Sequence, residues 1–108
     1  MPPFHSGMRF RCTRECEMEG RIFFAGDTDK DNKRFQVVFQ AGEVLVLKRS
    51  LPDFAKVMWL VPDRHTYFES QIVSESDQQD SHYRGYAVRC PFDIVGRDIE
   101  LFRDAPVA

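Results

Sequence analysis

The chain has 108 residues, 43% hydrophobic and 30% charged, with 15 Lys and Arg against 17 Asp and Glu. That is the balance of one ordinary globular domain, because a chain this long buries roughly two-thirds of its extended surface and folds without staples. The formal net charge of −2 removes the generic attraction to a phosphate lattice on which nucleic-acid binders rely, so no nucleic-acid partner is expected.

No apolar run approaches the ~20 residues of a membrane helix; the longest are Val44–Leu47 and Val57–Val61. The opening Met-Pro-Pro-Phe-His-Ser lacks the charged-then-apolar order of a secretory leader. Residues 1–7 read as a flexible N-terminus, and three cysteines do not complete a disulfide framework. The expectation is one soluble, cytoplasmic domain over residues 1–108.

Ten Phe and three Tyr favour strands. From Met8 to Phe24, apolar residues at even positions alternate with charged residues at odd ones, the period of a half-buried strand. The stretch is too long for one strand, so it must turn. With the turn at Thr13-Arg14-Glu15, Cys12 faces Cys16, Arg11 faces Glu17 and Arg9 faces Glu19, which pairs opposite charges. The rival is a short helix over residues 14–19, ended by Gly20.

Arg34–Gln40 and Glu43–Leu47 flank Ala41-Gly42 and read as a hairpin pairing Phe39 with Val44 and Val37 with Val46. Phe35, Val37, Phe39, Val44 and Val46 then make one core face. Ser50-Leu51-Pro52-Asp53 punctuates the chain and could open a helical turn. Val57, Trp59 and Val61 alternate before the Pro62-Asp63 turn. A strand over Tyr67–Val73 puts Phe68 and Ile72 on one side, and Ser74–Ser81 reads as a solvated loop. His82–Cys90 groups Tyr86, Val88 and Cys90, and Arg97–Phe102 closes with Ile99 and Leu101. Seven to eight short, mostly antiparallel strands at spacings of roughly ten residues predict an all-β fold, a single small barrel or sandwich.

Asp27, Asp29 and Asp31 share the alternate-carboxylate spacing of a calcium loop. The twelfth position that should carry a carboxylate is Val38, and Lys30, Lys33 and Arg34 neutralise the cluster, so a polar turn outweighs a weak calcium site. Cys12, Cys16 and Cys90 with His5, His65 and His82 could supply zinc ligands, and Cys12-x3-Cys16 is an admissible spacing, but no second close pair exists and Cys12 and Cys16 follow the apolar face, where a free thiol packs as a small hydrophobe. No phosphate-cradling glycine cluster and no nucleophile motif occur, and the chain reads as a non-enzyme without a cofactor. Arg9 and Arg11 share one strand face, either as a salt-bridged surface or as a contact for an anion or acidic peptide.

The stretches Glu19–Phe24, Lys33–Ser50, Tyr86–Pro91 and Asp98–Arg103 resemble pleckstrin-homology-like domains, in which a basic loop precedes a tight turn and hydrophobic strands. That family ends in an amphipathic helix carrying a tryptophan; here the only tryptophan is Trp59, in mid-chain. By position the resemblance implies a basic set of Arg21, Lys30, Lys33 and Arg34 for a phosphoinositide. The carboxylates interleaved there repel such a headgroup and favour a protein partner instead. The expectation is therefore a docking module using a strand edge or the Arg9/Arg11 face. A calcium-binding domain and a peripheral phosphoinositide- or anion-binding module are the alternatives.

Overall fold

The computed structural model describes residues 4–26, 32–51 and 55–102. Its strands are β1 (Arg9–Cys12), β2 (Cys16–Phe24), β3 (Lys33–Phe39), β4 (Val44–Leu51), β5 (Val57–Pro62), β6 (Tyr83–Pro91) and β7 (Ile99–Leu101). Helices α1 (His65–Ile72) and α2 (Glu75–Gln79) separate β5 from β6. The strands form one sheet in the order β3-β2-β6-β5-β4-β1-β7, antiparallel at each pairing. The all-β expectation is met, but the sheet is not closed into a barrel.

The connections force this sheet to roll. β1 and β2 are four places apart in the sheet, about 19 Å if it were flat. The chain from Cys12 to Cys16 spans at most about 14 Å, so the sheet must curl until these strand ends meet. The β3–β4 connection crosses the same gap. The two links are tied together: the Gly42 amide donates to the Cys12 carbonyl at 2.8 Å, and the Cys12 amide to the Glu43 carbonyl at 2.9 Å. Thr13 and Cys16 then bond across to the carbonyl of Asp98.

This topology corrects two hairpins. β1 pairs with β4 and β7, not with β2, and β3 pairs with β2, not with β4. Residues 40–43 do turn, with Glu43 donating to the Gln40 carbonyl and Gly42 at φ +92°. Glycine in the second central position suits a turn that splays the flanking strands; the hairpin types need a left-handed residue at the first, and Ala41 is not in that region. The core parity of β4 consequently reverses: Leu45 and Leu47 are buried, while Val44 and Val46 are partly exposed.

The Tyr67–Val73 strand is also corrected, to helix α1. Phe68 and Ile72 are four apart, a spacing that satisfies both periods, and the polar run between them carries good helix formers. Phe68 is the buried anchor, 5.6 Å from the Phe39 ring and 5.7 Å from Tyr86. Within the supposed loop, Ser74 accepts a hydrogen bond from the Asp77 amide at 3.2 Å and caps α2. At the N-terminal end of the described chain, Phe4 packs edge-on against Phe10 and Phe92. Ser6 donates to the Lys48 carbonyl at 3.0 Å.

The concave face holds the core: Phe10, Cys12, Met18, Leu45, Met58, Leu60, Val88, Cys90 and Ile99 are all buried. β6 shows the predicted grouping of Tyr86, Val88 and Cys90, and β7 the predicted final strand. The convex face is left to β2, β6, β5 and β4, whose outward side chains define the surface described next.

Candidate functional site

β5 is central, with β4 on one side and β6 on the other; one register shift lies in the β4–β5 pairing and one in the β2–β6 pairing. Leu47 pairs with Leu60 and Arg49 with Trp59, so Lys48 is an extra residue in β4. Phe23 pairs with Gly85 and Phe24 with Tyr83, so Arg84 is an extra residue in β6. A one-residue bulge breaks alternation and re-aims the side chains around it. Without it, Arg49 would keep the phase of Leu45 and Leu47 and point into the core. With it, Lys48 and Arg49 both line the convex side.

The result is a groove of about 500 Å³, its charged rim formed by Arg21, Lys48, Arg49 and Arg84 and its aromatic wall by Phe23 and Trp59. None of its described lining residues is acidic. Trp59 lies opposite Arg49 on one side and Arg89 on the other. The Arg21 guanidinium sits 5.4 Å from the centre of the Trp59 ring system, and Phe23 meets it edge-on at 5.5 Å. One side-chain nitrogen of Arg21, Nε, is buried without a hydrogen-bond acceptor. Arg84 is steadied by its Nη1, which donates to the carbonyls of Ser81 and Tyr83 at 3.1 and 3.2 Å. Gly85 keeps the groove open: nothing lies within 4 Å of where a Cβ on it would stand.

Most of the other described basic residues contrast with this set. Arg9 pairs with Asp63 at 3.3 Å and Arg11 with Glu100, both guanidinium groups lying over the Phe102 ring. Lys33 binds Asp77 at 2.9 Å, Arg34 faces Glu19 at 3.5 Å, Arg64 bonds Glu43 at 2.7 Å and Arg14 pairs with Asp98. Arg21, Lys48, Arg49 and Arg84 form no ion pair with a described carboxylate.

Of the residues expected from sequence, Arg21 therefore joins the groove, while Arg9 with Arg11 and Lys33 with Arg34 occupy other surfaces. Arg21 and Arg34 are direct cross-strand partners, but Arg34 is engaged by Glu19. Lys30, Asp27, Asp29 and Asp31 lie outside the described residues. Among the described residues, no three His, Cys, Asp or Glu side chains are grouped to share a metal ion. Cys12, Cys16 and Cys90 are buried free thiols. Burial pushes Cys12 and Cys90 up to about 12, with charge from the neighbouring thiols adding to it. Thiols held protonated in this way are poor nucleophiles.

Sequence reading missed Lys48, Arg49 and Arg84. One signal was available: Val44-Leu-Val-Leu-Lys-Arg-Ser-Leu51 breaks its alternation at two consecutive cations, where a regular strand would bury one. Compared with known proteins, this chain matches no protein family, no curated protein and no solved structure.

Proposed function

We propose that this domain is a non-catalytic interaction module that binds an anionic partner in the convex groove between Arg21, Lys48, Arg49 and Arg84. The observation carrying this reading is four cations from three strands around one depression with no carboxylate among its described lining residues. Like charges gathered without counter-charge repel one another, and a bound anion relieves that repulsion. Guanidinium groups match phosphate and carboxylate oxygens in bidentate geometry, and Lys48 adds a compact charge. The rest of the lining is aromatic, aliphatic or glycine apart from the Tyr86 hydroxyl, which donates to the His65 carbonyl at 3.1 Å.

Calorimetric titration with inorganic tripolyphosphate tests it. The wild-type chain binds, the affinity falls as salt rises, and Arg49→Ala with Arg84→Ala removes binding. Arg9→Ala with Arg11→Ala leaves it unchanged. Equal losses in the two double variants, or no binding by the wild type, would overturn the assignment.

A second reading has its own observation. Among the described residues β3 hydrogen-bonds to β2 alone, and it carries Val38 at 49% exposure, so a protein partner can add a strand along that edge. Val38→Lys would then abolish partner capture without touching tripolyphosphate binding.

A further inference from the structure

We infer that the ligand of the convex groove is a nucleotide, with its phosphates among Arg21, Lys48, Arg49 and Arg84 and its base against the Trp59–Phe23 wall. The inference rests on the anion-binding reading above and narrows it by three independent features of the surface.

The first is that the groove lies on a sheet face, not on an edge. The backbone groups of β5 are spent on β4 and β6, so an acidic peptide would find no main-chain partners there and would have to be held by side chains alone. A compact, densely charged anion suffers no such loss. Four cations also exceed what a single carboxylate can offset, whereas a polyphosphate chain carries several negative charges over a short length.

The second is that the patch is bounded. Towards the end of β5, the adjoining groove shares Lys48 and Gly85 but contains Asp63 and Glu69. On the Arg89 side, the next depression sets Glu15, Glu17, Glu19 and Asp98 against Arg14 and Arg89, so acidic groups outnumber basic ones there. A long polyanion leaving the groove in either direction meets like charge, and the net charge of −2 gives it no compensation elsewhere. The length that fits is that of a mononucleotide.

The third is the aromatic wall. Inorganic phosphate or polyphosphate has no use for Trp59 and Phe23, which stand half-buried beside the cations. A nucleobase does: stacking on an exposed aromatic side chain strengthens binding by about tenfold or more. Gly85 leaves room for a flat ring over β6 near Trp59.

Trp59 is the sole tryptophan of the chain, so its fluorescence reports on this groove alone. The full chain is titrated by calorimetry with ATP, with tripolyphosphate and with a short single-stranded oligodeoxynucleotide, and Trp59 emission is followed in the ATP titration. ATP binds at least about tenfold more tightly than tripolyphosphate and quenches Trp59. Trp59→Leu lowers ATP affinity to that of tripolyphosphate and leaves the latter within about twofold. The comparison of ligands on the wild-type chain does not depend on the variant folding. Equal affinity for ATP and tripolyphosphate, both lost in the Arg49→Ala, Arg84→Ala chain, overturns the nucleotide while keeping the anion site. An oligonucleotide binding far more tightly than ATP overturns it in favour of single-stranded nucleic acid. No binding of any of the three overturns both readings.

Discussion

Lys48 and Arg84 are each the unpaired extra residue of a bulge in a strand flanking β5, Lys48 against β5 itself and Arg84 against β2. Bulges sharpen twist and bend a strand, so the same two insertions that help the sheet roll also turn basic side chains out of the core phase. The convex groove is thus a by-product of the curvature that brings Cys12 and Cys16 together on the concave side.

Because both extra residues are exposed, their charges serve the surface and not the core. Lys48→Ala and Arg84→Ala should each change unfolding free energy by less than about 0.5 kcal/mol. Each should weaken tripolyphosphate binding several-fold. Urea denaturation paired with calorimetry checks this, and a large stability loss with unchanged binding would reverse the assignment.

The reversed parity of β4 gives a sharper test of the fold. Leu45 is fully buried and Val44 is not. Leu45→Ala should cost about 2–5 kcal/mol and Val44→Ala about 1 kcal/mol or less. A β3–β4 hairpin through Ala41-Gly42 would give the opposite order, so the ratio of the two urea midpoints decides the topology.

Strand content was legible because period-two alternation is a local property: β2, β6 and β7 lie where Met18, Ile22, Tyr86, Val88 and Ile99 put them. Pairing was not legible, because the turn at Gln40–Glu43 and the link at Thr13–Glu15 each join strands four places apart in a rolled sheet. Phe68 and Ile72 could not discriminate helix from strand, since their spacing fits both. Ser74 and Asp77 could have: a serine three residues before an acidic residue is a helix-start signature. Arg21 was nominated from its sequence position, but its neighbours Arg49 and Arg84 reach it only through the bulges.

Gly20 lies under the Phe35 ring, where an added Cβ would fall 2.0 Å from the nearest ring carbon. Gly20→Ala should therefore destabilise by about 1–3 kcal/mol through overpacking. Combining it with Phe35→Leu should recover part of that loss, and thermal denaturation of the single and double variants measures the coupling. Additive losses would show that the ring and the glycine do not share the space.

The thiols set the alkaline limit. Cys12 and Cys90 are raised from 9.0 to about 12 by burial first, then by neighbouring charge. Burial likewise raises the hydroxyls of Tyr83 and Tyr86. Between the unfolded and folded values the native chain holds more protons than the unfolded one, so stability is complete below about pH 9 and declines as pH rises towards about 12. Urea midpoints should fall steadily across that window; a constant or rising midpoint would contradict the burial of these groups.

The most direct test of the convex anion site is an amide chemical-shift titration of the isotope-labelled chain with tripolyphosphate. Saturable shifts should concentrate at Arg21, Lys48, Arg49, Trp59, Arg84 and Gly85, with residues 9–11 and 33–34 unmoved. Shifts centred on Arg9 and Arg11, or none at all, would contradict it.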